Sequence, residues 1–369
     1  MEFMVVFGMP DSETREGRSR RGTDNSTAMN GIPAVRRAGL AWGSFIGDAL
    51  AMPVHWYYDR AALLRDYGVV HDYVAPRNPH PDSVLWRSAY AALNARGDIL
   101  REQAQYWGRR GTHYHQFLRA GENTLNLQLA KVLIDSLIAR GSYDADDYLR
   151  RYIDFMLSPG RHRDTYVEEC HRKFFANYSR GTAPRSCGES DICIGGLAHV
   201  GILCAFFGAD TKSARHAVRE HVGHTHRSSE ALDAGDALAR ILCAVLSGAD
   251  LRETILAQAG HWISGPEAAR WSRDSDDVVV GERLSAACYL PNAFKASLYL
   301  AWKYADNFEA GVVANTNAGG ENCHRGAVIG ALLGSVAGVD RLPPRLVGGI
   351  ADMPALSARI DALVAAAPD

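Results

Sequence analysis

No stretch of the 369-residue sequence approaches the roughly 20 consecutive apolar residues that a bilayer-spanning helix requires. The longest apolar run, Ala327 to Val339, falls far short, and a membrane role is not expected. Charge of one sign is lacking too: 40 Lys and Arg against 42 Asp and Glu leave a net charge of -2. There is no general pull toward nucleic acid or an anionic membrane. The seven cysteines are odd in number and never spaced C-x-x-C, which speaks against a disulfide framework or a zinc ribbon and for a reducing, cytoplasmic setting. Runs of strictly alternating polar and apolar residues are missing, so the expected fold class is all-α. No linker-like shift in composition interrupts residues 31–369, which are expected to form a single domain. The opening MEFMVVFGMP has too short an apolar run and no basic leader for a signal peptide. The mixed-charge residues after it complete an expected disordered tail over 1–30.

What the sequence does contain is glycine in register. Glycines at 326, 330, 334 and 338 fall every fourth residue in NTNAGGENCHRGAVIGALLGSVAG, and those at 39, 43 and 47 do so in RRAGLAWGSFIGDALAMP. A mid-helix glycine costs up to about 1 kcal/mol against alanine. Two such ridges therefore predict two buried helices, over 36–50 and 324–338, packed directly and antiparallel, closer than the usual ~8–10 Å. That arrangement would bring Asp48 near Glu321 and Asn322. The N–H groups of Gly319, Gly320 and their successors lie where the second helix begins, a position suited to anionic groups.

The tripeptide Gly-Glu-Asn opens a helix at 320–322 and also at 121–123, where LNLQLAKVLIDSLIARG follows with leucines at 125, 129, 133 and 137. Two acid–amide pairs at two helix starts suit a shared polar site; helix capping is the alternative. Helical periodicity recurs over 143–157, 192–208, 228–248, 250–260, 286–305 and 355–366. His55, Trp56, Tyr57 and Tyr58 supply flat rings that either stack on a base or fill the core. The pairs His113/His115 and His224/His226 offer imidazoles for a transition metal, or are ordinary loop histidines.

Three blocks, GLAWGSFIGDALAMPVHWYY, AGENTLNLQLAKVLIDSLI and NTNAGGENCHRGAVIGALLGSVAG, resemble the ADP-ribosylglycohydrolases in order and spacing, and the likeness extends over about residues 31–350. The resemblance implies an orthogonal helical bundle whose central cleft holds two Mg²⁺ ions and cleaves the bond at ribose C1″. The partner would be an ADP-ribosylated protein or small molecule. The motifs also depart from the family pattern. Ala51 stands for a glycine and His55 for a glutamate. Gly121, Glu122, Asn123 and Thr124 replace Thr-Asp-Asp-Thr, while Glu321, Asn322, Cys323 and His324, followed by Arg325, replace Asp-Thr-Asp-Thr.

With fewer carboxylates and an added guanidinium, at most one Mg²⁺ is expected, held among Asp48, Glu122, Asn123, Glu321 and Asn322; Zn²⁺ at Cys323 and His324 is the alternative. Glu122 and Glu321 are the expected catalytic carboxylates. His55, Trp56, Gly319, Gly320 and Arg325 are expected to bind substrate. The opposing expectation is a member without hydrolytic activity, serving as an ADP-ribose-binding or crystallin-like structural protein.

Overall fold

A computed structural model describes residues 26–367. The chain runs through α1 (Ser26–Ala51), α2 (Arg60–Tyr67), α3 (Leu125–Arg140), α4 (Ala145–Leu157), α5 (Glu169–Ser179), α6 (Val200–Phe207), α7 (Thr211–Val222) and α8 (Ser229–Leu246). It continues through α9 (Leu251–Gln258), α10 (Gly265–Trp271), α11 (Asn292–Lys303), α12 (Phe308–Asn317), α13 (Asn322–Ala337), α14 (Pro344–Gly348) and α15 (Met353–Ala365). Among the described residues there is no strand, only two isolated bridges, Glu189 with His226 and Cys193 with Tyr289. The all-α expectation holds. No helix among them is long and apolar enough to cross a membrane.

The two glycine ridges meet. A Cβ on Gly39 would lie 2.6 Å from the Gly338 carbonyl carbon, one on Gly43 2.7 Å from that of Gly330, and one on Gly47 2.6 Å from that of Gly326. As the number falls on α1 it rises on α13, so the helices are antiparallel and touch backbone to backbone. Flanking side chains, Leu40, Phe45, Ile46 and Leu50 from α1 and Val328, Ile329, Leu332 and Leu333 from α13, are buried in the main apolar cluster. Helices α6, α8, α11 and α12 pack around this pair, while α3 is sandwiched between α4 and α15.

The expected helix edges were met closely for α3, which stops at Gly141 in the left-handed conformation (φ 64°), and for α4, α8, α9 and α15. Two were not. The run 192–208 is divided into a 3₁₀ turn, Ile194–Leu197, and α6; within the turn a Cβ on Gly196 would lie 2.7 Å from the His226 ring, a contact that only glycine permits. Residues 286–291 form bends, one isolated bridge and a turn instead of helix: Ile194 N–H donates to Cys288 O (2.8 Å) and Leu290 N–H to Ile192 O (2.8 Å). Residues 1–25 of the anticipated tail lie outside the described residues; α1 begins at Ser26.

Candidate active site

The turn between α12 and α13 fixes the centre of the site. Gly319 and Gly320 both adopt positive φ, 67° and 63°, which a side chain would strain. Gly320 N–H donates to Tyr57 O (2.6 Å) and Gly320 O accepts from Trp56 N–H (2.8 Å), so the turn is stitched to residues 56–57. Glu321 then caps α13 with its own N–H on Ala286 O (2.8 Å). Its side chain is left pointing at His55, Trp56 and His324. These backbone bonds correct one expectation: the N–H groups of Gly319 (to Thr316 O), Gly320 and Glu321 are spent on carbonyls and cannot also hold a diphosphate.

A chain of buried polar side chains passes through Glu321. Asp164 Oδ1 lies 2.6 Å from His115 Nδ1, and His115 Nε2 lies 2.7 Å from His55 Nδ1. His55 Nε2 then meets Glu321 Oε1 at 2.9 Å. That same oxygen lies 2.8 Å from His324 Nδ1, while His324 Nε2 lies 3.1 Å from Glu168 Oε1. Trp56 Nε1–H donates to the other Glu321 oxygen, and the indole stacks on His55 with centroids 3.9 Å apart. Trp56 adopts φ 63°, uncommon for a bulky residue. His324 Nε2 also lies 2.7 Å from Asn126 Nδ2, so a proton on that nitrogen requires the amide to turn its oxygen there instead.

The charges in this chain are unequal. Burial alone would raise the Glu321 carboxyl, but the His324 charge and the His55 contact outweigh it and hold the group well below its ordinary range. Burial alone would lower His324; Glu168 and Glu321 outweigh it and lift the imidazole to about 10. Glu168 is pushed up to about 7 by burial, against the pull of His324. Burial drops His55 to about 4, the Glu321 charge opposing only in part. Glu168 keeps 17% of its side-chain surface exposed while Glu321 keeps 1%, so Glu168 is the carboxylate that incoming molecules reach first.

The other expected site residues lie elsewhere. The structure does not bring Glu122 to Glu321. Both Glu122 oxygens are taken by Arg119, whose backbone N–H and guanidinium donate to them, and by Arg163. Asp48 accepts from Thr124 N–H (2.9 Å), Thr124 Oγ1 (2.6 Å) and Asn123 Nδ2 (2.9 Å), which fastens α1 to the start of α3; burial raises its carboxyl against these bonds. Asn322 donates to Val54 O (3.3 Å) and Thr316 O (2.9 Å). Arg325 is wholly buried and braces the α12–α13 turn through Asn315 Oδ1 (2.7 Å) and Gly319 O (2.8 Å), a structural position in place of the expected substrate contact. Cys323 is buried with its thiol toward Asp48 O (3.6 Å), away from a zinc pairing with His324, and burial raises it well above the thiol range.

Mg²⁺ needs a near-octahedral oxygen shell. Asn123 Oδ1 and Asn322 Oδ1 are buried and without partners, but Asp48 already accepts three hydrogen bonds and Glu122 is held by arginines. Glu321 faces nitrogens. The expected five-residue magnesium set does not fit this arrangement. Instead, His55, Glu321 and His324 offer ligand atoms that all lie within 4.8 Å of one another. Sequence reasoning missed Glu168 and Asp164 altogether and treated His115 only as part of a His-x-His pair. Their placement depends on the irregular segments 113–116 and 164–168, which carry no periodic signal.

The segment 121–126 separates two spaces. On one side Thr124, Leu125 and Asn126 join His55, His115, Glu168 and His324 around a cavity of about 10 Å³. On the other, Gly121, Glu122 and Asn123 line an open cleft of about 560 Å³, with Lys131, Arg161, Arg163 and Arg359 among its walls.

The family model for ADP-ribosylglycohydrolase matches residues 32–368. The fold is similar to that of a solved "ADP-ribosylglycohydrolase-related protein complex", with a TM-score of 0.63 and 21% sequence identity over 92% of this chain and 100% of that one. At that identity the likeness concerns the fold. No curated protein matches the sequence.

Proposed function

For a chain that belongs to the ADP-ribosylglycohydrolase family, we propose hydrolysis of an N- or O-glycosidic bond in an ADP-ribosyl or related ribosyl substrate, with Glu168 and Glu321 as the working carboxylates. The observation that carries this reading is the pair itself: two carboxylates brought onto opposite nitrogens of one imidazole, His324, beside a cavity of water-molecule size. Glu168 is the reachable group and exchanges the proton, with the attacking water as its partner. Glu321, gripped by His55, His324 and Trp56, holds His324 in place and supplies fixed negative charge for an oxocarbenium-like centre. The small cavity suits the nucleophile; the sugar enters only after Trp56 and Tyr166, whose rings meet edge to face at 4.9 Å, move apart. The substrate is an ADP-ribosylated protein or small molecule of the reducing cytoplasm, where the seven free cysteines stay reduced.

Turnover decides the matter. ADP-ribosylarginine, ADP-ribosylserine peptides and O-acetyl-ADP-ribose are incubated with the protein and free ADP-ribose is measured. Release is expected from at least one of them, reduced about 10² to 10⁴-fold in Glu168→Gln and Glu321→Gln with the fold retained. Release at the parent rate in both variants overturns the assignment. A second reading, ligand binding without turnover, is favoured by the 560 Å³ cleft and its four cationic side chains. It is supported if ADP-ribose binds, nothing is released, and Arg163→Ala weakens binding.

A further inference from the structure

We infer that His55, Glu321 and His324 form a mononuclear site for a transition-metal ion of the Zn²⁺ class, in place of the Mg²⁺ chemistry implied by the family resemblance. The donor atoms are His55 Nε2 and His324 Nδ1, at 2.9 and 2.8 Å from the shared Glu321 Oε1. Two imidazoles and a carboxylate form a set that Zn²⁺ accepts and Mg²⁺ avoids, and three protein donors are the number found in catalytic zinc sites.

The surroundings are what separate this triad from a chance cluster. In zinc sites the far nitrogen of each ligating histidine is anchored, which fixes ring tautomer and orientation. Here His55 Nδ1 is anchored on His115, itself tied to Asp164, and His324 Nε2 on Glu168. The second Glu321 oxygen is anchored by Trp56. Each ligand therefore turns one atom, His55 Nε2, His324 Nδ1 or Glu321 Oε1, toward the other two, with its remaining polar atom already anchored.

A count of protons agrees. With Glu168 ionised, the contacts Asp164–His115, His115–His55 and His55–Glu321 need one proton each, and His324 needs one on each nitrogen to face two carboxylates. That makes five protons on three rings, where three neutral rings carry only three. A divalent ion that displaces the two protons pointing at Glu321, those on His55 Nε2 and His324 Nδ1, leaves every ring neutral. Net charge of the cluster is unchanged by the exchange, since two positive charges leave and two arrive.

The inference does not depend on hydrolysis, and its test needs no substrate. Full-length protein is stripped with EDTA, exchanged into chelator-free buffer and titrated calorimetrically with Zn²⁺ in two buffers of different ionisation enthalpy. One equivalent is expected to bind with release of about two protons, and the Co²⁺ form should show the visible absorption of a low-coordinate N/O site. Millimolar Mg²⁺ should give no such binding. His55→Ala and His324→Ala should each remove the site, His115→Ala should weaken it about 10 to 100-fold, and the exposed His261→Ala should leave it unchanged. Absence of Zn²⁺ binding by the folded parent, proton release near zero, or undiminished binding in a folded His324→Ala protein would each overturn the assignment. If a histidine variant does not fold, the Co²⁺ spectrum and proton count of the parent decide.

Discussion

Adding one methyl group to Gly43 places it where the backbone of α13 already is. The new Cβ would stand 2.7 Å from the Gly330 carbonyl carbon, overlap the Gly330 oxygen and come within 3.2 Å of the Phe308 ring. Comfortable carbon–carbon separations are about 3.5–4.0 Å, so α1 and α13 must part by roughly 1 Å. Peptide atoms cannot swing aside as a side chain can, and parting the helices at Gly43 also loosens the contacts at Gly39 and Gly47. Alanine returns up to about 1 kcal/mol of helix propensity. Overpacking of a rigid contact costs at least the upper part of the usual ~1–3 kcal/mol. Gly43→Ala should therefore destabilise the protein by about 2 kcal/mol or more, seen as a lower urea midpoint at unchanged m-value. Gly348→Ala is the control, because no atom lies within 4 Å of its added Cβ; it should be neutral or slightly stabilising. If Gly43→Ala unfolds at the same urea concentration as the parent or higher, the close-packing argument fails.

Gly330→Leu, at the same contact, should yield no stably folded protein, and a parent-like melt would contradict the ridge. Burial lowers His80, His199, His224 and His226 to about 4, so between pH 6.5 and 4 the unfolded chain takes up protons that the folded one refuses. The contribution of these four histidines is thus undiminished above pH 6.5 and lost as pH falls toward 4, by on the order of 3 kcal/mol per histidine; cooperative acid unfolding by circular dichroism is expected, and a urea midpoint unaltered at pH 4.5 would refute it. Asp48→Asn turns one acceptor into a donor against Thr124 and Asn123, at a cost of about 1–3 kcal/mol, and hydrogen exchange should report earlier opening at the start of α3. Glu122→Gln should alter substrate affinity more than kcat, since its carboxylate is in the arginine-lined cleft wall; a kcat loss equal to that of Glu321→Gln would return Glu122 to the catalytic pair.

The glycine ridges were legible because a missing side chain at every fourth position has few other uses in a soluble helix, and their pairing follows from length and register alone. The nearness of Glu321 to His55 was legible from motif position. Glu122 is placed apart from Glu321 for an instructive reason: Gly-Glu-Asn occurs twice, but after Gly121 the glutamate turns back onto Arg119 and Arg163, whereas after Gly320 the turn is stitched to Tyr57 and Ala286 and the glutamate faces inward. Nothing in a tripeptide encodes those neighbours. Glu168 and Asp164 reach the site from irregular chain at large sequence separation from His324 and His55, so only tertiary contacts reveal them.

The pairing of α1 with α13 also sets an order of events during synthesis. The partner of α1 begins about 270 residues after α1 ends. At ~5–20 residues per second the ridge of α1 waits on the order of 15–50 s for its complement. Throughout that interval Leu40, Phe45, Ile46 and Leu50 lack the surface that will cover them, and they are available to chaperones or to other nascent chains. Because Glu321 and His324 arrive with the start of α13, this late seam, followed only by the docking of α14 and α15, also brings the buried carboxylate–imidazole pair, and a chain cut short before α13 lacks both.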